Sequence, residues 1–63
     1  MIKLSRINGE EVTVNAELIE TVEASHDTIV SLTTGKRLIV VETVDQVVEK
    51  VVAYRRSIAT PLR

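Results

Sequence analysis

Apolar and polar residues alternate from the start of the chain. Ile2 and Leu4 flank Lys3 and precede Ser5, the period of a half-buried strand, and the alternation runs on through Arg6 and Ile7. Asn8-Gly9 follows, a strong hairpin signal, because both central residues of a type I′ turn need positive φ. Glu10 to Val14 reads as the return strand, with Val12 and Val14 on one face and Glu11 and Thr13 on the other. Asn15-Ala16 breaks the pattern. Leu18, Ile19, Val22 and Ala24 then make a third apolar stretch, spaced as a strand or as one short helical turn leading into a strand; the strand is the favoured reading. Ser25-His26-Asp27 is a polar turn, and Thr28 to Leu32 is apolar and rich in β-branched residues. Thr33-Thr34-Gly35-Lys36 gives a second hairpin turn, with Gly35 supplying positive φ. Leu38 to Val41 is a short, bounded apolar run, as expected of a strand buried on both faces.

The period changes after that. Thr43 is placed to cap a helix, and Gln46 three residues on completes a capping-box pattern. Val44, Val47, Val48, Val51, Val52 and Ile58 recur at helical spacing and form an apolar stripe. Valine is a mediocre helix former, so this helix must draw its stability from packing. Arg55 and Arg56 lie near its C-terminus, where cations interact favourably with the helix dipole, and Pro61 ends any continuation. The pattern predicts one α+β domain over residues 1–63. It has a small antiparallel sheet of about five short strands (about 2–7, 10–14, 17–24, 28–33 and 37–41) with two hairpins. One C-terminal helix over about 44–58 and a tail, 59–63, complete it.

Composition adds a constraint on stability. A chain of 63 residues buries only about 60% of the surface its unfolded form exposes. Small domains commonly add disulfides, a metal or self-association. With no cysteine and a single histidine, disulfides, thiolate sites and His-based zinc sites have no ligands here. The chain is 44% hydrophobic with one aromatic, so its apolar surface is mostly aliphatic and hard to hide in so small a body. A homo-oligomer is therefore expected. The net charge of −1 argues against a protein that binds nucleic acid by neutralising phosphates. No apolar run approaches the roughly 18 residues of a membrane span, and the N-terminus lacks the apolar block of a signal peptide. The expected location is the cytoplasm.

Candidate chemistry is thin. Ser25-His26-Asp27 contains the three residue types of a hydrolase triad, but consecutive residues point in different directions and read better as a turn. Gly35-Lys36 lacks the upstream glycine and the following Ser or Thr of a phosphate-binding loop. Glu10, Glu11, Glu17, Glu20 and Glu23 concentrate negative charge; strand spacing would put Glu17 and Glu23 on one face and Glu20 on the other. Lys50, Arg55, Arg56 and Arg63 make a modest basic end. Glu20, Glu23, Arg55 and Arg56 are thus the candidate interaction residues, for a basic partner, an acidic partner or weak contact with anionic lipid. Asn8, Gly9, Gly35, Thr43, Val44, Val47, Val48 and Val51 are the candidate structural positions. No nucleophile, base and oxyanion donor can be assembled, so no enzyme activity, cofactor or small-molecule substrate is expected.

The residue order also resembles the FlbD/SwrD family of small flagellar proteins. The likeness rests on Ile2-Lys3-Leu4 with Arg6, Asn8-Gly9, Asn15-Ala16-Glu17-Leu18-Ile19-Glu20, Val22-Glu23-Ala24, Asp27-Thr28, Leu32-Thr33 and Gly35-Lys36. The apolar helix from Val44, ending in Tyr54-Arg55-Arg56, continues it, so that residues 1 to 58 or so are covered. The segment from Asn15 to Glu23 is its most specific part. His26 stands where a proline would be expected and Ile39 where an aromatic is common, a change that bears on a contact surface. The resemblance implies a role in swarming and in raising flagellar motor power, through contact with motor or stator proteins at the cytoplasmic face of the membrane. It supplies no set of functional residues. A small nucleic-acid regulator and a peripheral membrane adaptor are the alternatives; the first lacks stacking aromatics and a concentrated basic face.

Overall fold

The structure, a computed structural model, describes residues 1–59. Strands β1 (Ile2–Ser5) and β2 (Glu11–Val14) pair antiparallel, with Ile2 opposite Val14 and Leu4 opposite Val12. Their connection is a three-residue loop and not the two-residue turn expected of Asn8-Gly9. Arg6 N–H donates to the Glu10 carbonyl at 2.7 Å and Gly9 N–H to the Arg6 carbonyl at 2.9 Å. Gly9 alone takes a positive φ, 93°. This is the pattern of a type I turn closed by a left-handed glycine. Asn8 contributes through its side chain instead, its Oδ1 accepting the Glu10 N–H at 3.0 Å. The strands therefore stop short of the expected 2–7 and 10–14, because Arg6 to Glu10 are consumed by the turn.

The next expectation also shifts. Asn15 Oδ1 accepts the Glu17 N–H at 3.0 Å and its carbonyl accepts the Leu18 N–H at 2.9 Å, turning Ala16–Leu18 into a short 3₁₀ turn. The third strand, β3 (Ile19–Ala24), thus begins two residues later than 17–24 predicts, after the helical turn that was the less favoured reading. A register irregularity between Ile19 and Thr21 brings Ile19 and Val22 both against the core. The simple alternation predicted for Leu18, Glu20, Val22 and Ala24 is lost, and Leu18 and Ala24 are exposed.

Strands β4 (Thr28–Leu32) and β5 (Arg37–Val40) complete an antiparallel meander, β3-β4-β5. Ser25–Asp27 links β3 to β4, making a third hairpin where two were expected. The β4–β5 turn repeats the first one: Leu32 N–H donates to Lys36 O at 2.8 Å, Gly35 N–H to Leu32 O at 3.0 Å, and Gly35 has φ 95°. The two-stranded and three-stranded sheets meet at one bridge, Arg6 opposite Val40, with Val41 N–H donating to Ser5 O at 2.8 Å.

Helix α1 (Val44–Ala59) packs on β1 and β3. The capping box forms as the sequence predicts. Gln46 N–H donates to Thr43 Oγ1 at 3.1 Å, and Thr43 N–H to Gln46 Oε1 at 2.9 Å. Val47 is wholly buried beside Leu4, Val30 and Val40, and Val51 and Tyr54 rest half-buried on the same core. One face of a helix can meet one layer. Val48 and Val52, expected in the packed stripe, are turned outward, at 47% and 41% exposure. A corresponding correction holds for β5. Leu38 and Val40 are buried, whereas Ile39 and Val41 face away from the core at 42% and 64% exposure, because the described residues pack a layer on only one face of the strand. Thr60, Pro61, Leu62 and Arg63, and with them the predicted stop at Pro61 and most of the 59–63 tail, lie outside the described residues.

Candidate functional site

Glu42, outside the candidate residues named above, makes a side-chain contact across the fold. Beyond β5 the chain bends at Val41-Glu42, and both oxygens of the Glu42 carboxylate accept the Ser5 backbone N–H, at 3.0 and 3.1 Å. The Ser5 carbonyl already receives Val41 N–H. Glu42 therefore replaces the backbone carbonyl that would continue the β1–β5 ladder and ends the pairing without leaving a donor unmet. Burial by itself would raise its pKa. Hydrogen bonds from Ser5 and from its own backbone N–H, with attraction from Lys50, outweigh that and hold the carboxyl below its ordinary value of 4.5.

Glu42 sits in an open groove between the first hairpin and the helix, which Arg6, Glu49 and Lys50 also line. The charges there are mixed in sign and offer no single-sign field to a charged ligand. Among the described residues, no group of three His, Cys, Asp or Glu side chains could hold a metal ion, and no helix is long and apolar enough to cross a membrane.

The predicted site residues are distributed over several surfaces. Ser25, His26 and Asp27 are all exposed in the β3–β4 turn, where Ser25 N–H donates to Asp27 O at 3.0 Å; the turn reading is what forms. Glu23 faces Arg37 across the sheet at 3.8 Å, with both side chains largely in solvent. Arg55 faces Glu17 at 3.9 Å and ties the helix to the 3₁₀ turn before β3. Exposed pairs of this kind contribute about 0–1 kcal/mol, so they orient more than they stabilise. Glu20 is exposed on β3, and Arg56 borders a shallow groove on the outer face of the helix with Val48, Glu49, Val52 and Ala53. Among the described residues, exposed aliphatic side chains include Val48 with Val52 on the helix, and Ile7 with Ile39 where the first loop bonds to β5 through Ile7 N–H and Ile39 O at 3.3 Å.

The FlbD family model, described as flagellar and swarming motility proteins, matches residues 1–59. No curated protein and no solved structure matches the chain.

Proposed function

The chain belongs to the FlbD family of flagellar and swarming motility proteins, and from that premise we propose that it is a non-enzymatic accessory of the flagellar motor. It supports swarming and motor power by protein–protein contact near the stator, at the cytoplasmic face of the membrane. The observation that supports a motility role is the extent of the family match, residues 1–59, which takes in both sheets and the helix. Exposed aliphatic side chains on two separate surfaces supply the material for contact, since such residues lower free energy chiefly by leaving water.

The test is deletion of the gene in a motile strain, with swarm expansion and single-motor torque as readouts. Lower torque with filaments of normal number and length is the expected result. Unchanged torque overturns the motor reading, and missing filaments would move the protein to assembly.

A further inference from the structure

Helix α1 carries more valine than the core of one chain uses. Val47 is fully buried and Val51 half-buried, but Val48 and Val52, one turn apart on another face, remain 47% and 41% exposed. Valine at a largely exposed helical position weakens the helix relative to alanine, lysine or glutamate and returns little through packing. These two residues line a shallow groove with Glu49, Ala53 and Arg56. The charges beside the groove are ordered along the helix. Asp45 and Glu49 lie toward its N-terminal end, and Arg55 and Arg56 toward its C-terminal end.

We propose that this face binds a second copy of the same chain, the two helices running antiparallel about a two-fold axis beside Val52. A copy turned end for end brings Glu49 against Arg55 and Arg56 on either side of the axis, while Val52 meets Val52 at the centre and Val48 lies along the aliphatic stem of Arg56. A parallel copy would set acid against acid and base against base. A partner of one charge sign would match only one end. Self-complementarity of this kind is what a two-fold interface requires, because the same patch serves both sides. Arg55 need not break a strong bond to take part: its contact with Glu17 is 3.9 Å long and exposed.

The helix has 16 residues and is about 24 Å long at 1.5 Å per residue, so the paired faces are small beside the roughly 1,200–2,000 Å² of a stable interface. The dimer is accordingly concentration-dependent, dissociating in the micromolar range or above. Its existence is a property of the purified chain and does not depend on the motor reading.

The experiment is sedimentation equilibrium of the full 63-residue chain from about 5 μM to 1 mM, a range chosen to bracket weak association. Wild type is expected to shift from one to two chains across it. Val48→Lys with Val52→Lys should stay monomeric at the top concentration with unchanged helix content by circular dichroism. Glu49→Arg and Arg56→Glu separately should each weaken dimerisation about tenfold, and mixing the two should favour the mixed dimer over either homodimer. Should the double lysine variant unfold, the charge pair decides alone. A wild type that remains monomeric throughout overturns the proposal, as does a dimer indifferent to these substitutions or a charge-swapped mixture that forms no mixed dimer.

Discussion

Glu42 and Ser5, 37 residues apart in sequence, are joined by a carboxylate that takes one backbone N–H with both oxygens, at 3.0 and 3.1 Å. The contact closes the junction at which the two-stranded and three-stranded sheets meet and the helix departs. Glu42→Ala leaves the Ser5 N–H without its partner in a half-buried site, which costs about 1–3 kcal/mol. Glu42→Gln keeps an acceptor and loses the charge assistance, and should cost roughly half as much. Urea unfolding midpoints of the two variants measure the difference; equal midpoints for wild type and Glu42→Ala would show the junction holds without the carboxylate.

The same group sets an acid limit. Its folded-state pKa lies below the ordinary 4.5, so folding favours the ionised form. The stabilisation is complete well above that ordinary value and disappears as pH falls through the lower folded-state value. The stability gap between wild type and Glu42→Gln should therefore be full at neutral pH and narrow as the pH falls below the ordinary carboxyl value of 4.5. Urea titrations at several pH values read it directly, and a gap that widens on acidification has the wrong sign.

Neighbouring valines should behave oppositely. Val47 is fully buried and Val48 is 47% exposed. Val47→Asp places an unpaired carboxylate in the core and should abolish folding at neutral pH, a loss of several kcal/mol. Val47→Ala should cost about 2 kcal/mol through lost burial and the void left behind. Val48→Asp should leave the single chain within about 0.5 kcal/mol of wild type, as surface changes usually do. Thermal melts of the three variants at low micromolar concentration separate these outcomes.

At Gly9 and Gly35 the backbone, and not the surrounding space, restricts the residue. Both have φ near +95° (93° and 95°), and a Cβ placed on either would meet nothing within 4 Å. Gly→Ala at each site should cost about 1–2 kcal/mol, the penalty for an L side chain in left-handed backbone. Asparagine, which tolerates that region better, should cost less than alanine. Were alanine and asparagine to cost the same at Gly9, the turn would have rearranged.

Where the sequence was legible, a local interaction set the outcome. The helix start could be read because Thr43 and Gln46 satisfy each other within four residues, and the hairpins because Gly9 and Gly35 stand where a left-handed residue is needed. Turn type was not legible: Asn8-Gly9 suits a two-residue turn, and only the Arg6–Glu10 hydrogen bond shows that three residues were used. The helical turn at Ala16–Leu18 depended on the Asn15 side chain, whose bond to Glu17 competes with extended backbone by a margin that composition does not reveal. The apolar run Leu38–Val41 predicts burial on both sides, but such a run states what a strand could bury and not how many layers there are to bury it. Glu42 could not have been found from sequence at all. Its role arises from the β1–β5 junction, a long-range contact, and a glutamate between an apolar strand and a helix cap otherwise reads as solvated.

The reciprocal cap offers the cleanest measurement of a local interaction in this fold. Thr43 Oγ1 meets the Gln46 N–H at 3.1 Å and Gln46 Oε1 meets the Thr43 N–H at 2.9 Å, both near solvent. Thr43→Ala removes the acceptor that serves an otherwise unpaired helix donor and should cost about 1 kcal/mol. Gln46→Ala exposes only the Thr43 N–H to water, which can replace the bond, and should cost about half as much. Each side chain holds the backbone that the other binds, so the double variant should cost less than the sum of the singles, by a few tenths of a kcal/mol. A double-mutant cycle in urea tests this. Strict additivity would mean that the two bonds form independently and that either side chain alone fixes the start of α1.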